Sequence, residues 1–173
     1  GCDFRNKNFS NLDLKFIDLS YANLENVDFT GTNLNYAKLI GSNLLNSKIS
    51  NTDFSNANLD SALMSKITII ESKFKNASLK SSDFENTMIK NTDFSNANLE
   101  QIKFSKSKIN NSNFKDTILS GADFSNTEIN STNMKNSIFN FANFTNARME
   151  SNDLENTTIY KANFNNSILK NID

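Results

Sequence analysis

The chain has 173 residues, 19 acidic against 18 basic side chains, a single cysteine, and no histidine, tryptophan or proline. Without histidine no Ser-His-Asp or Cys-His nucleophile can be assembled, and one thiol among scattered carboxylates offers no zinc site of the usual kind. A net charge of −1 also lacks the basic excess of domains that bind nucleic acid directly.

The first 50 residues introduce a five-residue spacing. Counting by fives from Phe4 through Phe9, Leu14, Leu19 and Leu24, every position as far as Leu169 is Leu, Phe, Ile or Met. Two residues before each centre lies a second register of mostly small residues, among them Ala22, Ala37, Ser42, Thr52 and Ala57. Lys7, Leu12, Ile17 and Val27 break that register, so the first coils are expected to be looser or wider, with Lys7 turned outward. Cys2 falls in phase with the small inward residues, which favours a packing role over the remnant of a lipoprotein cleavage site.

Residues 51–126 are the most regular. Asn51-Thr52-Asp53-Phe54-Ser55-Asn56-Ala57-Asn58-Leu59 returns unchanged as Asn91 to Leu99, with only Ile67 and Ile102 enlarging the small register. From 127 onward the pattern persists, departing at Asn152 and Ile172. No linker or low-complexity segment interrupts it, so residues 1–173 read as one domain.

An α-helix with apolar residues at every fifth place would wind its stripe around the cylinder, and a flat strand would send successive centres to opposite faces. A chain that turns a corner every five residues keeps all centres inside. Four corners make a coil of about twenty residues, and such coils stack at about 4.8 Å. The inward centre then lies on the residue twenty places away, giving ladders such as Phe54, Phe74, Phe94 and Phe114. The Asn or Gly that ends many units suits the third position of a type II turn, where φ is positive.

Units such as Ala57-Asn58-Leu59-Asp60-Ser61, Ala97-Asn98-Leu99-Glu100-Gln101 and Ala122-Asp123-Phe124-Ser125-Asn126 resemble the Ala-(Asp/Asn)-Leu-X-X unit of the pentapeptide-repeat family. The resemblance covers essentially the whole chain. It implies an all-β solenoid, a right-handed quadrilateral β-helix of about eight to nine 20-residue coils. Neither end carries a polar or helical cap, so the open coil ends are expected to be covered by a partner subunit or by further chain.

Functional residues are sought on the outer walls. Asp53, Asp83, Asp93 and Asp123 share one outward repeat position on a convex surface, which speaks for structural pairing rather than acid–base catalysis; Lys73 lies twenty residues from both Asp53 and Asp93. No catalytic, metal or cofactor residue is assigned, and the chain is not expected to be an enzyme. Lys66, Lys90, Lys103, Lys106 and Lys108 read as a solvated basic patch. More informative are large apolar residues at outward positions. Phe16 and Tyr36 should stack as an exposed ladder with Tyr21 and Ile40 adjoining, and Ile118 and Ile138 should stack near Phe141 and Tyr160. These eight form the candidate protein-contact surface, and self-association is expected through that apolar wall or through the open coil ends.

The leading reading is a structural or protein-interaction solenoid. The family resemblance implies an alternative, since members of the quinolone-resistance type bind DNA gyrase as mimics of duplex DNA. A mimic needs phosphate-like negative charge along the rod, and here lysines interleave with aspartates, so that reading stands second. No apolar run of membrane-spanning length and no secretory leader is visible, and the unpaired Cys2 suits a reducing compartment, so the cytoplasm is the expected location.

Overall fold

The backbone turns at strict intervals. In a computed structural model that describes residues 1–173, every fifth residue from Asn6 to Asn171 has a φ of 49° to 70°. Half of these corners are Asn, three are Gly, and most are closed by the hydrogen bond of a four-residue turn. The Ala57 N–H, for example, donates to the Phe54 carbonyl at 3.0 Å, leaving Asn56 as the third residue with φ of 61°. Asn tolerates this left-handed conformation better than other residues with a side chain, which explains its recurrence.

Between corners the chain is extended, and on one side it forms seven short strands. These are β1 (Ile49–Ser50), β2 (Thr68–Ile70), β3 (Met88–Lys90), β4 (Lys108–Asn110), β5 (Glu128–Asn130), β6 (Arg148–Glu150) and β7 (Ile168–Lys170). They pair in parallel and in sequence order, and every pairing is offset by twenty residues, as in Ile49↔Ile69. The strand ladder marks six turns. The remaining coils pair through isolated bridges of the same offset, from Asp3↔Asn23 to Asn143↔Asn163. The protein is therefore an all-β parallel solenoid, and no helix is long and apolar enough to cross a membrane.

The five-residue centres fill the interior. Phe54, Phe74, Phe94 and Phe114 stack with ring centroids 4.8, 4.8 and 4.7 Å apart, and Phe104, Phe124, Phe144 and Phe164 form a second column at 5.2, 4.8 and 4.7 Å. Centroid spacing thus follows the coil spacing of about 4.8 Å. Burying each such side chain contributes about 1.5–3 kcal/mol before entropy is subtracted.

The small register is buried too, and its hydroxyls bond to backbone. Thr52 Oγ1 donates to the Phe29 carbonyl at 2.8 Å and Ser107 Oγ to the Phe84 carbonyl at 2.7 Å, each reaching the neighbouring coil. At the corners that follow the strands the turn bond is missing, and at three of them the small residue of the next coil replaces it. The Thr52 N–H donates to Ser72 Oγ at 3.2 Å, the Thr92 N–H to Ser112 Oγ at 3.3 Å and the Thr132 N–H to Asn152 Oδ1 at 2.9 Å. Asn152, out of pattern in the sequence, is therefore a buried bridge, its Nδ2 donating to the Ile129 carbonyl at 2.8 Å. No buried side-chain nitrogen or oxygen lacks a partner.

The first coils are looser, as the broken register implies: Phe4, Phe9, Leu14 and Ile17 are only partly buried, and Lys7 is exposed. Val27 nevertheless packs fully inside, while Leu12 and Cys2 face water despite their inward phase. The outermost coil has only one neighbour to pack against.

Candidate functional site

Corner positions set which side chains project furthest from the rod. Most corners present Asn, Gly, Ser or a charged residue, but four present aromatic rings: Phe16 (φ 61°), Tyr21 (φ 57°), Tyr36 (φ 60°) and Phe141 (φ 59°). The left-handed conformation costs a residue with a Cβ about 1–2 kcal/mol, and an aromatic ring cannot recover it with the local hydrogen bonds open to Asn.

The twenty-residue register then decides where these rings meet. Phe16 and Tyr36 share one corner column with Asn56 and Asn76, whereas Tyr21, Gly41, Gly121 and Phe141 share the next. The wall between these corners carries Ile118 and Ile138, bridged to each other, along its mid-line. Ile40 and Tyr160 immediately precede the second corner. All eight residues expected at two separate clusters thus lie on one side of the solenoid. The two clusters are its ends, and that unity is visible in the sequence only after each position is reduced by multiples of twenty.

Phe16 and Tyr36 stack with centroids 5.2 Å apart and planes 12° from parallel, while 70% and 53% exposed. Each ring uses one face on the other and keeps the remainder of its surface open to solvent. Tyr21 lies over Gly41: a Cβ at that glycine would stand 2.8 Å from the ring, so this corner needs glycine both for space and for its φ of +60°. At the other end Phe141 and Tyr160 meet edge to face at 5.6 Å, and Lys161 Nζ stands 5.9 and 5.2 Å from their centroids. Ile118 is exposed, whereas Ile40 and Ile138 are half-buried, flanked by neighbouring coils rather than standing free.

The middle of the wall is polar. Asn76 Nδ2 donates to Asn56 Oδ1 at 3.2 Å, Ser78 Oγ donates to Asp60 Oδ1 at 2.6 Å, and Lys80 Nζ lies 3.3 Å from Glu100. Beside them is a shallow hollow at Gly121, where no side chain fills the corner between Gln101 and Phe141.

The charged walls hold structural contacts. Lys73 is in register between Asp53 and Asp93, as the spacing predicts, yet no ion pair joins them. Instead each aspartate closes its own turn: Asp53 Oδ1 accepts the Ser55 N–H, Asp83 Oδ1 the Glu85 N–H and Asp93 Oδ1 the Ser95 N–H, each at 2.9 Å. This Asx-type bond is what the Asp/Asn repeat position is for, and reasoning from charge alone missed it. In the basic patch Lys106 pairs with Glu85 at 2.7 Å and Lys108 with Glu128 at 3.1 Å, and the Lys106 hydrogen bond holds the Glu85 carboxyl below its ordinary range. No group of three or more His, Cys, Asp or Glu side chains converges to hold a metal ion.

Comparison with curated protein sequences finds no match. Among solved structures, a trypsin-treated form of QnrB1, a plasmid-mediated fluoroquinolone resistance protein, is similar with a TM-score of 0.65 at 11% identity, covering 96% of this chain and 90% of that one. HetL, a pentapeptide repeat protein involved in heterocyst differentiation regulation from the cyanobacterium Nostoc sp. strain PCC 7120, matches with a TM-score of 0.45 at 15% identity, over 96% of this chain and 86% of that one. At 11% identity the likeness to QnrB1 is one of fold alone. Three family profiles match in sequence: a pentapeptide repeat region over residues 43–114, pentapeptide repeats (9 copies) over 114–158 and pentapeptide repeats (8 copies) over 1–35. With that unbroken five-residue geometry beneath them, these matches establish that the chain belongs to the pentapeptide-repeat family.

Proposed function

We propose that this protein is a non-enzymatic interaction solenoid that binds protein through its aromatic wall. The observation that carries the reading is the gathering of all five exposed aromatic side chains, Phe16, Tyr21, Tyr36, Phe141 and Tyr160, on one side of the rod. Four of them occupy corners where an aromatic ring costs strain, so folding does not explain their presence. A clustered apolar surface of this kind marks a contact site. The absence of a deep cleft beside perturbed titratable groups fits a role without catalysis, and no cofactor is assigned. The proposed compartment is the cytoplasm.

The framework that presents the wall is a right-handed, four-sided coil of about eight to nine turns. Bridges beginning at Asp3, Asn8, Asp13 and Asp18, each to the residue twenty on, support the four sides. The alternative, a duplex mimic that binds DNA gyrase, stands second because positive charges interrupt the rod: Lys48 pairs with Asp28 at 3.3 Å, and Lys135 pairs with Asp153 at 3.0 Å and with Glu155 at 2.7 Å. Protection of gyrase supercoiling from a quinolone would reverse that ranking.

The test is partner capture with the intact chain and with a Phe16→Asn/Tyr36→Asn/Phe141→Asn variant, which gives each corner the commonest corner residue. Protein retained by the former and lost by the latter is expected. Equal retention by both would remove the wall from the account.

A further inference from the structure

We propose that the partner of this wall is a second copy of the same chain, packed wall to wall in antiparallel orientation about a two-fold axis. The inference rests on the interaction reading above and names its occupant. Either cluster alone is too small for a specific contact. The rings of Phe16, Tyr21, Tyr36 and Phe141, 53–70% exposed, present together about 500 Å² per copy. Only when both clusters are engaged, with the isoleucines and polar mid-wall between them, do two copies approach the roughly 1,200–2,000 Å² of specific interfaces.

The clusters stand about five coils apart, near 25 Å at 4.8 Å per coil. An unrelated partner would have to carry two apolar patches at that separation, whereas in an isologous contact the heights match by symmetry. Charge permits it as well. Asp18, Asp60, Glu100 and Asp116 on the wall and its corners nearly balance Lys38, Lys80 and Lys161, so like walls do not repel and a strongly charged polymer is not selected.

The register locates the axis. Placed across the wall between the coils of Lys80 and Glu100, it sets residue positions that sum to about 180 opposite each other on the same column, so that both clusters are engaged. Lys80 then faces Glu100 of the second copy, twice. Phe141 faces the other copy's Gly41 corner, Tyr21 faces its Lys161, and the Phe16–Tyr36 ridge lies beside its Ile138.

Sedimentation of the full chain from about 1 to 200 μM should show a mass rising from 19.4 kDa toward twice that value. Phe16→Asn/Tyr36→Asn and, separately, Lys80→Glu should each weaken the dimer at least about tenfold, with far-ultraviolet circular dichroism unchanged. Adding Glu100→Lys to Lys80→Glu should recover the dimer, because the swapped charges still oppose across the axis. A mass that stays at 19.4 kDa throughout, a dimer indifferent to these substitutions, or a charge swap that fails to restore it overturns the inference. The interaction reading survives such a failure, since partner capture on the same wall tests it separately.

Discussion

Phe94→Ala removes an inner ring of the Phe54–Phe114 ladder. Phe94 has no exposed surface and stacks on Phe74 at 4.8 Å and on Phe114 at 4.7 Å, with Phe84 and Phe104 edge-on at 6.5 and 6.4 Å. Truncating a fully buried Phe costs about 3–5 kcal/mol through lost transfer energy and the cavity left behind. Each broken ring pair adds about 0.5–1.5 kcal/mol to the local loss, so the upper part of that range is expected. The backbone ladder pins the coils above and below, which limits collapse into the cavity. Phe4→Ala, at a partly buried position of the first coils, should cost about half as much or less. Equilibrium urea unfolding followed by circular dichroism measures both. A Phe94→Ala cost below that of Phe4→Ala would refute the stacked interior as the source of stability.

At the corners, Asn96→Val should destabilise by about 1–2 kcal/mol because a β-branched side chain is forced to a φ of 59°, whereas Asn96→Gly should change stability by only a few tenths; thermal melts separate the two. Asn152→Ala should cost about 1–3 kcal/mol by leaving the buried Thr132 N–H without its acceptor, and Asn152→Leu should not recover it; denaturant midpoints read this directly. With no histidine, the melting temperature should be flat between about pH 6 and pH 8. On the acid side it should fall. Asp18, Asp28 and Asp153 have carboxyls held below their ordinary range, the first two chiefly by hydrogen bonds from Ser20 and Thr30 and the third by the Glu155 N–H. Their contribution is present above the unfolded value of about 3.9 and disappears as pH drops through the lowered folded values. A transition near neutral pH would contradict this.

The architecture was legible because a chain that bends every five residues admits one large inward side chain per unit, and Phe4 to Leu169 never breaks that rule. The Phe54 ladder and the Phe16–Tyr36 stack both follow from the register alone. Two features were obscured. The aspartates looked like charge partners of lysine because letters show sign but not the short reach of an Asx side chain to its own turn. The strand ladder begins only at Ile49, where the corners open: below it the Leu12 and Thr32 N–H groups keep their turn bonds to Phe9 and Phe29 at 3.2 and 3.0 Å, a difference the spacing of the centres does not carry. The candidate wall was half legible: its residues stood out as misplaced apolar groups, but their convergence on one side required folding the sequence at twenty.

Disulfide trapping tests the twenty-residue register most directly. In a Cys2→Ser background, the pair Asn56→Cys/Asn76→Cys replaces side chains already joined at 3.2 Å across adjacent coils, within reach of a disulfide whose Cα atoms lie about 4.4–6.8 Å apart. Rapid intrachain closure of that pair, with none for Asn56→Cys/Lys66→Cys at ten residues' separation, is the predicted result. Closure of the second pair in preference to the first would mean that the chain does not return to the same corner every twenty residues.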